Sequence, residues 1–386
     1  MFHYLWKARG VLAVLLDAED LVNRVRGAVL LQAFGDALGA PFEFADSGAV
    51  ERETGKDWID ELHAFTGDAG PHGPWVSPAP VGTGTDDVRY SWLFMELAVE
   101  LGRMPTGHEL ARCLLDVYER PGDFFPGYEA LTQRQFEMWE GVSRGFVGEE
   151  SSLYPGVSPA LLATRSVGLN YPTMAGMLAL PFAGLLFPGD PEGAYRAAYE
   201  AAYFDMAYAR EATSLLAAAQ SLALVGVGPV VLVEQVLALD PLQLGGYFGH
   251  PFVVENMPHI LKKSMGKRGR YLADFLSFEL RNFSVFDPFR ALAITFAVLL
   301  NHADDPLLAL EVAVNQGDLM EDGSWRRYAD IDCYAGIAGT LLGAVRGADH
   351  FPAEFFARVV ASNRQVYGID LEASIANFAA LIEEKA

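Results

Sequence analysis

Cysteine is nearly absent, with only Cys113 and Cys333 in 386 residues. Two unpatterned thiols exclude a disulfide framework and the paired Cys or His spacing of a zinc site. They suit a reducing compartment, so a cytoplasmic protein is expected. Positive charge is scarce as well. Lys and Arg number 28 against 50 Asp and Glu, a formal net charge of -22. Such a field repels phosphate backbones and anionic lipid, which argues against nucleic acid and membrane partners, and it gives weak support to divalent cations. Long apolar runs are missing. The uncharged stretch Ala212 to Val233 contains Gln220, Ser221 and Gly226-Val227-Gly228-Pro229, which reads as two buried helices broken at a Gly-Pro turn rather than a membrane span. The Val11 to Leu16 run is short and is followed by Asp17, Glu19 and Asp20 without a small-residue cleavage pattern, so no signal peptide is expected. Strand-like alternation and repeats of fixed period are absent too. What remains is 51% hydrophobic and 12% aromatic, enough for a sizeable core. The expected architecture is therefore all-α, a single compact multi-helix domain over 1–386.

Against that background one stretch concentrates chemistry. Gly82-Thr83-Gly84-Thr85-Asp86-Asp87 sets two adjacent carboxylates and a hydroxyl among small residues, just before an apolar run from Tyr90 to Leu101. The pattern puts Thr85, Asp86 and Asp87 at a helix N-terminus, where Thr or Asp is also a good cap. Asp330-Ile331-Asp332-Cys333, followed by the small-residue run Tyr334 to Ala344, has the same form. One Asp alone would be read as a cap. Two carboxylate pairs, each opening an apolar helix, suggest one shared site, and hard oxygen ligands without paired His or Cys suit Mg²⁺ or Mn²⁺ rather than Zn²⁺.

Upstream, apolar residues at three- and four-residue spacing from Asp20 to Phe34 predict an amphipathic helix with Asn23, Arg24 and Arg26 towards water. It delivers Gly35-Asp36-Ala37-Leu38-Gly39-Ala40-Pro41-Phe42-Glu43-Phe44. This segment, then Thr85-Asp86-Asp87, then Asp330-x-Asp332 with its small-residue helix, resembles the ADP-ribosylglycohydrolase family in order and spacing from about Val22 to about Ala348. The resemblance implies a helical bundle of that type. It also implies a dinuclear metal site held by Thr85, Asp86, Asp87, Asp330 and Asp332, with Glu43 close to the metals. For the base that takes a proton from the attacking water, Glu43 is the first choice and Asp332 the second. Asp36 is open between a structural role and a place near the site.

Elsewhere the chain departs from the family's pattern. Asn170-Tyr171-Pro172 stands where relatives carry Gly-Asn-Gly with a following Met-Arg, and Phe204-Asp205-Met206-Ala207 stands where several carry Thr-His. Asn170, Tyr171 and Asp205 are therefore the expected substrate-contacting positions, in altered loops. Cys333 replaces the Thr or Ser that follows the second Asp pair in relatives, and a neutral thiol is a poor ligand for Mg²⁺. Residues 45–81, rich in Gly and Pro, read as a lid or a surface loop. Lys262, Lys263, Lys267, Arg268 and Arg270 form a basic knot, open between a phosphate contact and a solvated helix end. The expected activity is metal-dependent hydrolysis of a ribosyl glycosidic bond, removing ADP-ribose from a protein or small molecule. The alternatives are a nucleoside or modified-nucleotide hydrolase with a changed pocket, and a non-catalytic relative.

Overall fold

A computed structural model describes residues 18–167, 170–245, 251–352 and 354–384. The Val11 to Leu16 run, Gly168 and Leu169 before the Asn170 loop, and 246–250 lie outside the described residues.

Two antiparallel helices, Ala18–Gly39 and Ile331–Arg346, pack along their whole length at the centre. Small residues make this contact possible. A Cβ built at Gly343 would stand 2.1 Å from the Gly27 carbonyl oxygen, one at Gly339 would stand 2.3 Å from that of Leu31, and one at Gly39 would stand 2.4 Å from the Asp332 nitrogen. Backbone therefore lies directly against backbone, closer than any side chain permits. The first helix is amphipathic only in its opening turns, because every residue from Gly27 to Gly39 is buried. Buried all round in this stretch, it is a core helix rather than the surface helix its early spacing predicts.

Further helices surround this pair. Tyr208–Leu224, Pro288–His302 and Pro306–Val314 pack on the Ile331 helix, and Asp86–Leu101 and Leu371–Glu383 pack on the Ala18 helix. Tyr208–Leu224 and Pro229–Val236 are the pair broken at the Gly-Pro turn. The helical expectation holds, with one addition: a short antiparallel hairpin joins Gly317–Leu319 to Trp325–Tyr328. Three and four residues are too few for alternation to register. Among the described residues no helix is long and apolar enough to cross a membrane.

Residues 45–81 are anchored at several points. The segment holds a short helix, Ala49–Thr54, and a bridge between Phe65 and Ala79. Ile59 exchanges backbone bonds of 3.0 and 2.9 Å with the Asn315 amide, and Trp58 donates to Glu311 at 3.0 Å. Trp75 is buried against Phe125, Tyr128 and Tyr367. Arg89, fully buried, lies over the Trp75 ring at 4.3 Å and donates to the carbonyls of Pro71, His72 and Gly73. One helical side chain thus ties this segment to the turn that carries Asp86.

Candidate functional site

Three helix ends meet at one point. The C-terminal turn of the Ala18 helix brings Asp36, and the N-termini of the Asp86 and Ile331 helices bring Thr85 to Asp87 and Asp330 to Cys333. The two N-termini direct the positive ends of their dipoles at the cluster, which favours carboxylates there.

Asp36 is the internal anchor. Its carboxylate accepts from the Thr85 nitrogen at 2.9 Å on both oxygens and from the Val88 nitrogen at 3.2 Å, satisfying donors of the helix's first turn. Gly84 is required beside it, since a Cβ there would stand 2.5 Å from Asp36 Oδ2. The approach to Thr85 is braced from behind by the Ala357–Tyr367 helix. Ser362 donates to the Val81 carbonyl at 2.7 Å, Asn363 accepts from the Gly84 nitrogen at 3.2 Å, and the Tyr367 hydroxyl donates to the Gly84 carbonyl. That support lies beyond Ala348, where the motifs legible in the sequence stop.

Thr85 caps its helix, accepting from the Asp87 nitrogen at 3.4 Å, and its hydroxyl donates to Asp332 Oδ2 at 3.3 Å. This contact joins the two acidic clusters directly. Four carboxylate oxygens remain buried without a hydrogen-bond partner: both of Asp87, Oδ1 of Asp330 and Oδ1 of Asp332. Asp87, Asp330 and Asp332 are 1%, 3% and 2% exposed. Among the described residues none of them has a Lys or Arg ion-pair partner; the basic contact of the cluster is His72, whose Nδ1 lies 3.7 Å from Asp86 Oδ2.

The electrostatic consequence is uniform. Burial, then neighbouring carboxylates, holds Asp87 and Asp332 well above the ordinary Asp range. Burial raises Asp36 to about 7 and Asp330 to about 6, opposed in each case by hydrogen bonds. Glu43 is pushed well up by desolvation of its carboxyl and by Asp332 and Asp330 beside it. So many uncompensated buried carboxylates cost several kcal/mol unless cations are added or protons taken up. Such a donor set, hard oxygens with unsatisfied lone pairs, fits divalent metal.

Glu43 reaches the cluster through an unusual turn. Phe44 follows it with a φ of 55°, left-handed backbone that a bulky residue seldom adopts. The turn is held by Phe44 N–H on the Ala329 carbonyl at 3.5 Å, by Tyr328 N–H on the Ala45 carbonyl at 2.8 Å and by Arg327 over the Phe44 ring at 4.9 Å. Phe44 in turn meets Phe286 edge-on at 5.7 Å. The Asn170 loop reaches the same region, since Tyr171, exposed, shares a 3.3 Å hydrogen bond with Ser284 and Met174 N–H bonds the Phe286 carbonyl.

The structure thus brings Thr85, Asp86, Asp87, Asp330, Asp332 and Glu43 together, with Asn170 and Tyr171 in a loop towards the Phe44 side. Asp205 is differently placed. It is buried, accepting from Gly176 N at 3.0 Å and Thr213 Oγ1 at 2.7 Å, so its oxygens are occupied inside the protein. Of the basic knot, Lys263 pairs with Glu279 and Arg270 with Asp57, as solvated surface pairs do. Sequence reasoning missed His72 and Arg89. His72 stands in no motif, and Arg89, two residues past Asp87, carries no sign of its partners until residues 71–73 fold back onto the Asp86 helix. Two clefts of ≈ 350 and ≈ 220 Å³ lie elsewhere, the first beside Trp92, Leu97 and Cys113, the second beside Trp58, Arg270 and Trp325, and no carboxylate of the cluster lines either.

A search of curated proteins gives no match. Among solved structures, a chain described as "ADP-ribosylglycohydrolase-related protein complex" is similar over 95% of this chain and 100% of its own, with a TM-score of 0.57 at 19% identity. At that identity the likeness speaks for the fold. The ADP-ribosylglycohydrolase family matches in sequence over residues 17–385, nearly the entire chain and well past Ala348. Glycosidic hydrolysis is the chemistry which that family name implies, and this chain belongs to the ADP-ribosylglycohydrolase family.

Proposed function

We propose that the protein is a divalent-metal-dependent hydrolase of a ribosyl glycosidic bond, with ADP-ribose attached to a protein or small molecule as the leading substrate class. The observation that carries this reading is the set of four buried carboxylate oxygens of Asp87, Asp330 and Asp332 left without partners. Two ions, Mg²⁺ or Mn²⁺, would be held by Thr85, Asp86, Asp87, Asp330 and Asp332. When bound, they would supply positive charge to a ribose diol and acidity to a water molecule.

The protein's own groups do the rest. Glu43 accepts the proton of the water that attacks the anomeric carbon, and returns it as the bond to the leaving group breaks. Asp332 already accepts the Thr85 hydroxyl, which favours Glu43 over it. Asp36 keeps the Thr85 turn in place, and the 71–73 segment, clamped by Arg89, brings His72 beside Asp86. Asn170 and Tyr171 contact the substrate beyond the ribose. Pro172 has no N–H, so this loop offers a diphosphate fewer backbone donors, and the ribose carries more of the recognition.

The test is a metal-supplemented screen of ADP-ribosyl-arginine, ADP-ribosyl-serine, O-acetyl-ADP-ribose and simple nucleosides. Release of ADP-ribose that Glu43→Gln abolishes is the expected result. Turnover of nucleosides alone would move the reading to a nucleoside hydrolase, and no turnover of any of them with Mg²⁺ or Mn²⁺ would overturn it.

A further inference from the structure

Cys333 is one of the two free thiols, and it is the buried one. It sits in the first turn of the Ile331 helix, 8% exposed, directly after Asp332. One ligand atom from each of Asp330, Asp332 and Cys333 lies within 4.8 Å of the other two, close enough for a single ion to touch all three. The thiol is not isolated from the unsatisfied oxygens: Asp330 Oδ1 and Asp332 Oδ1 lack partners at this spot. A core cysteine chosen for packing would be surrounded by hydrocarbon. This one borders the core on one side and lies beside the carboxylates of Asp330 and Asp332 on the other.

We propose that Cys333 is a metal ligand, and that Asp330, Asp332 and Cys333 form a mixed oxygen and sulfur position that selects a thiophilic divalent ion such as Co²⁺, Zn²⁺ or Cd²⁺ over Mg²⁺. The proposal rests on the metal site proposed above and concerns which ion one of its positions takes. Mg²⁺ demands an octahedral shell of hard oxygens, and a protonated thiol offers it almost nothing. A borderline or soft ion instead displaces the thiol proton, which passes to solvent, and gains a bond to thiolate. Two carboxylates and one thiolate then carry three negative charges against two positive. Three protein ligands with room for a further one is also the pattern of a zinc site that keeps an open position. The shortage of cysteine that argues against a zinc site of paired Cys and His leaves this arrangement untouched, because it needs one thiol.

The experiment uses the full chain stripped with a chelator and titrated with Co²⁺ alone, with thermal melting and near-ultraviolet absorption read on the same samples. Wild type and Cys113→Ser should both raise their melting temperature and develop a sulfur-to-cobalt charge-transfer band, and a tenfold excess of Mg²⁺ should not remove it. Cys333→Ser, nearly isosteric, should lose the band and bind Co²⁺ at least about tenfold more weakly, one ligand bond costing about 1.4 kcal/mol or more, while Mg²⁺ affinity stays equal or tightens. A Co²⁺ melting shift with no charge-transfer band in wild type, or a band that persists in Cys333→Ser, overturns the proposal and leaves the metal-dependent reading standing. No melting shift with Mg²⁺, Mn²⁺ or Co²⁺ overturns both.

Discussion

Asp36 and Asp87 are both buried carboxylates of one cluster, yet they face opposite energetic situations. Asp36 accepts three backbone contacts from the Thr85 turn, whereas Asp87 has no hydrogen bond on either oxygen. Asp36→Ala strands the Thr85 and Val88 N–H groups, at about 1–3 kcal/mol for each. Asp87→Asn removes like-charge repulsion and breaks nothing. Denaturant titration of metal-free protein is expected to show Asp36→Ala destabilised and Asp87→Asn as stable as wild type or more so. Asp87→Asn should nevertheless lose the melting shift given by Mn²⁺, since ligand that binds only the native state stabilises by mass action. A destabilised Asp87→Asn would mean that its carboxylate has partners after all. The same groups set a pH dependence. Asp36 at about 7 and Asp330 at about 6 are raised above their unfolded value of 3.8. A raised group takes up protons on folding, so its stabilisation is complete below the unfolded value and is lost as pH rises through the folded one. Melting temperature without metal should therefore fall between about pH 4 and about pH 7, and saturating Mn²⁺ should reverse that slope because metal needs the deprotonated forms.

At the level of elements, the site depends on two helices being closer than side chains allow. The Gly27–Gly343 contact sits at the far end of the pair and the Gly39–Asp332 contact at the site end. Gly343→Ala and Gly39→Ala are each expected to cost about 1–3 kcal/mol by overpacking backbone against backbone. Only Gly39→Ala should also weaken Mn²⁺ binding, because the atom its Cβ meets belongs to Asp332. Calorimetric titration of both variants separates the two effects, and equal metal affinities would show that the helix contact does not set the ligand position. The spacing of Gly27, Gly35 and Gly39, and of Gly339 and Gly343, is present in the sequence. Which glycines face each other is not, because a small-residue stripe specifies close packing without naming its partner. The Phe44 turn is equally hidden: its left-handed backbone is imposed by Ala329 and Tyr328, almost three hundred residues away.

For the whole molecule, charge is the dominant global term. A net charge of -22 repels itself across the surface, and the exposed Asp46–Arg52 and Lys56–Asp60 pairs offset little of it. Screening acts over roughly 10 Å at 0.1 M salt. Raising NaCl from about 0.05 to about 0.5 M is therefore expected to raise the melting temperature of metal-free protein while weakening capture of divalent ions. A melting temperature that falls with salt would show that attractive surface pairs outweigh the net repulsion.

The helical class, both acidic helix starts and the family were legible in the sequence, because each rests on short-range pattern: apolar spacing, a cap followed by carboxylates, small residues in a run. Tertiary structure decided what those patterns left open. It placed Asp36 under the Thr85 turn, brought His72 to Asp86 from an irregular segment that Arg89 holds, and recruited the Ala357–Tyr367 helix to brace Val81 to Gly84. It also turned Asp205 inward. None of these has a local signature. Each follows from which buried polar atoms the closed core leaves unpaired, and that is settled only when elements distant in the chain compete for the same few ångströms of space.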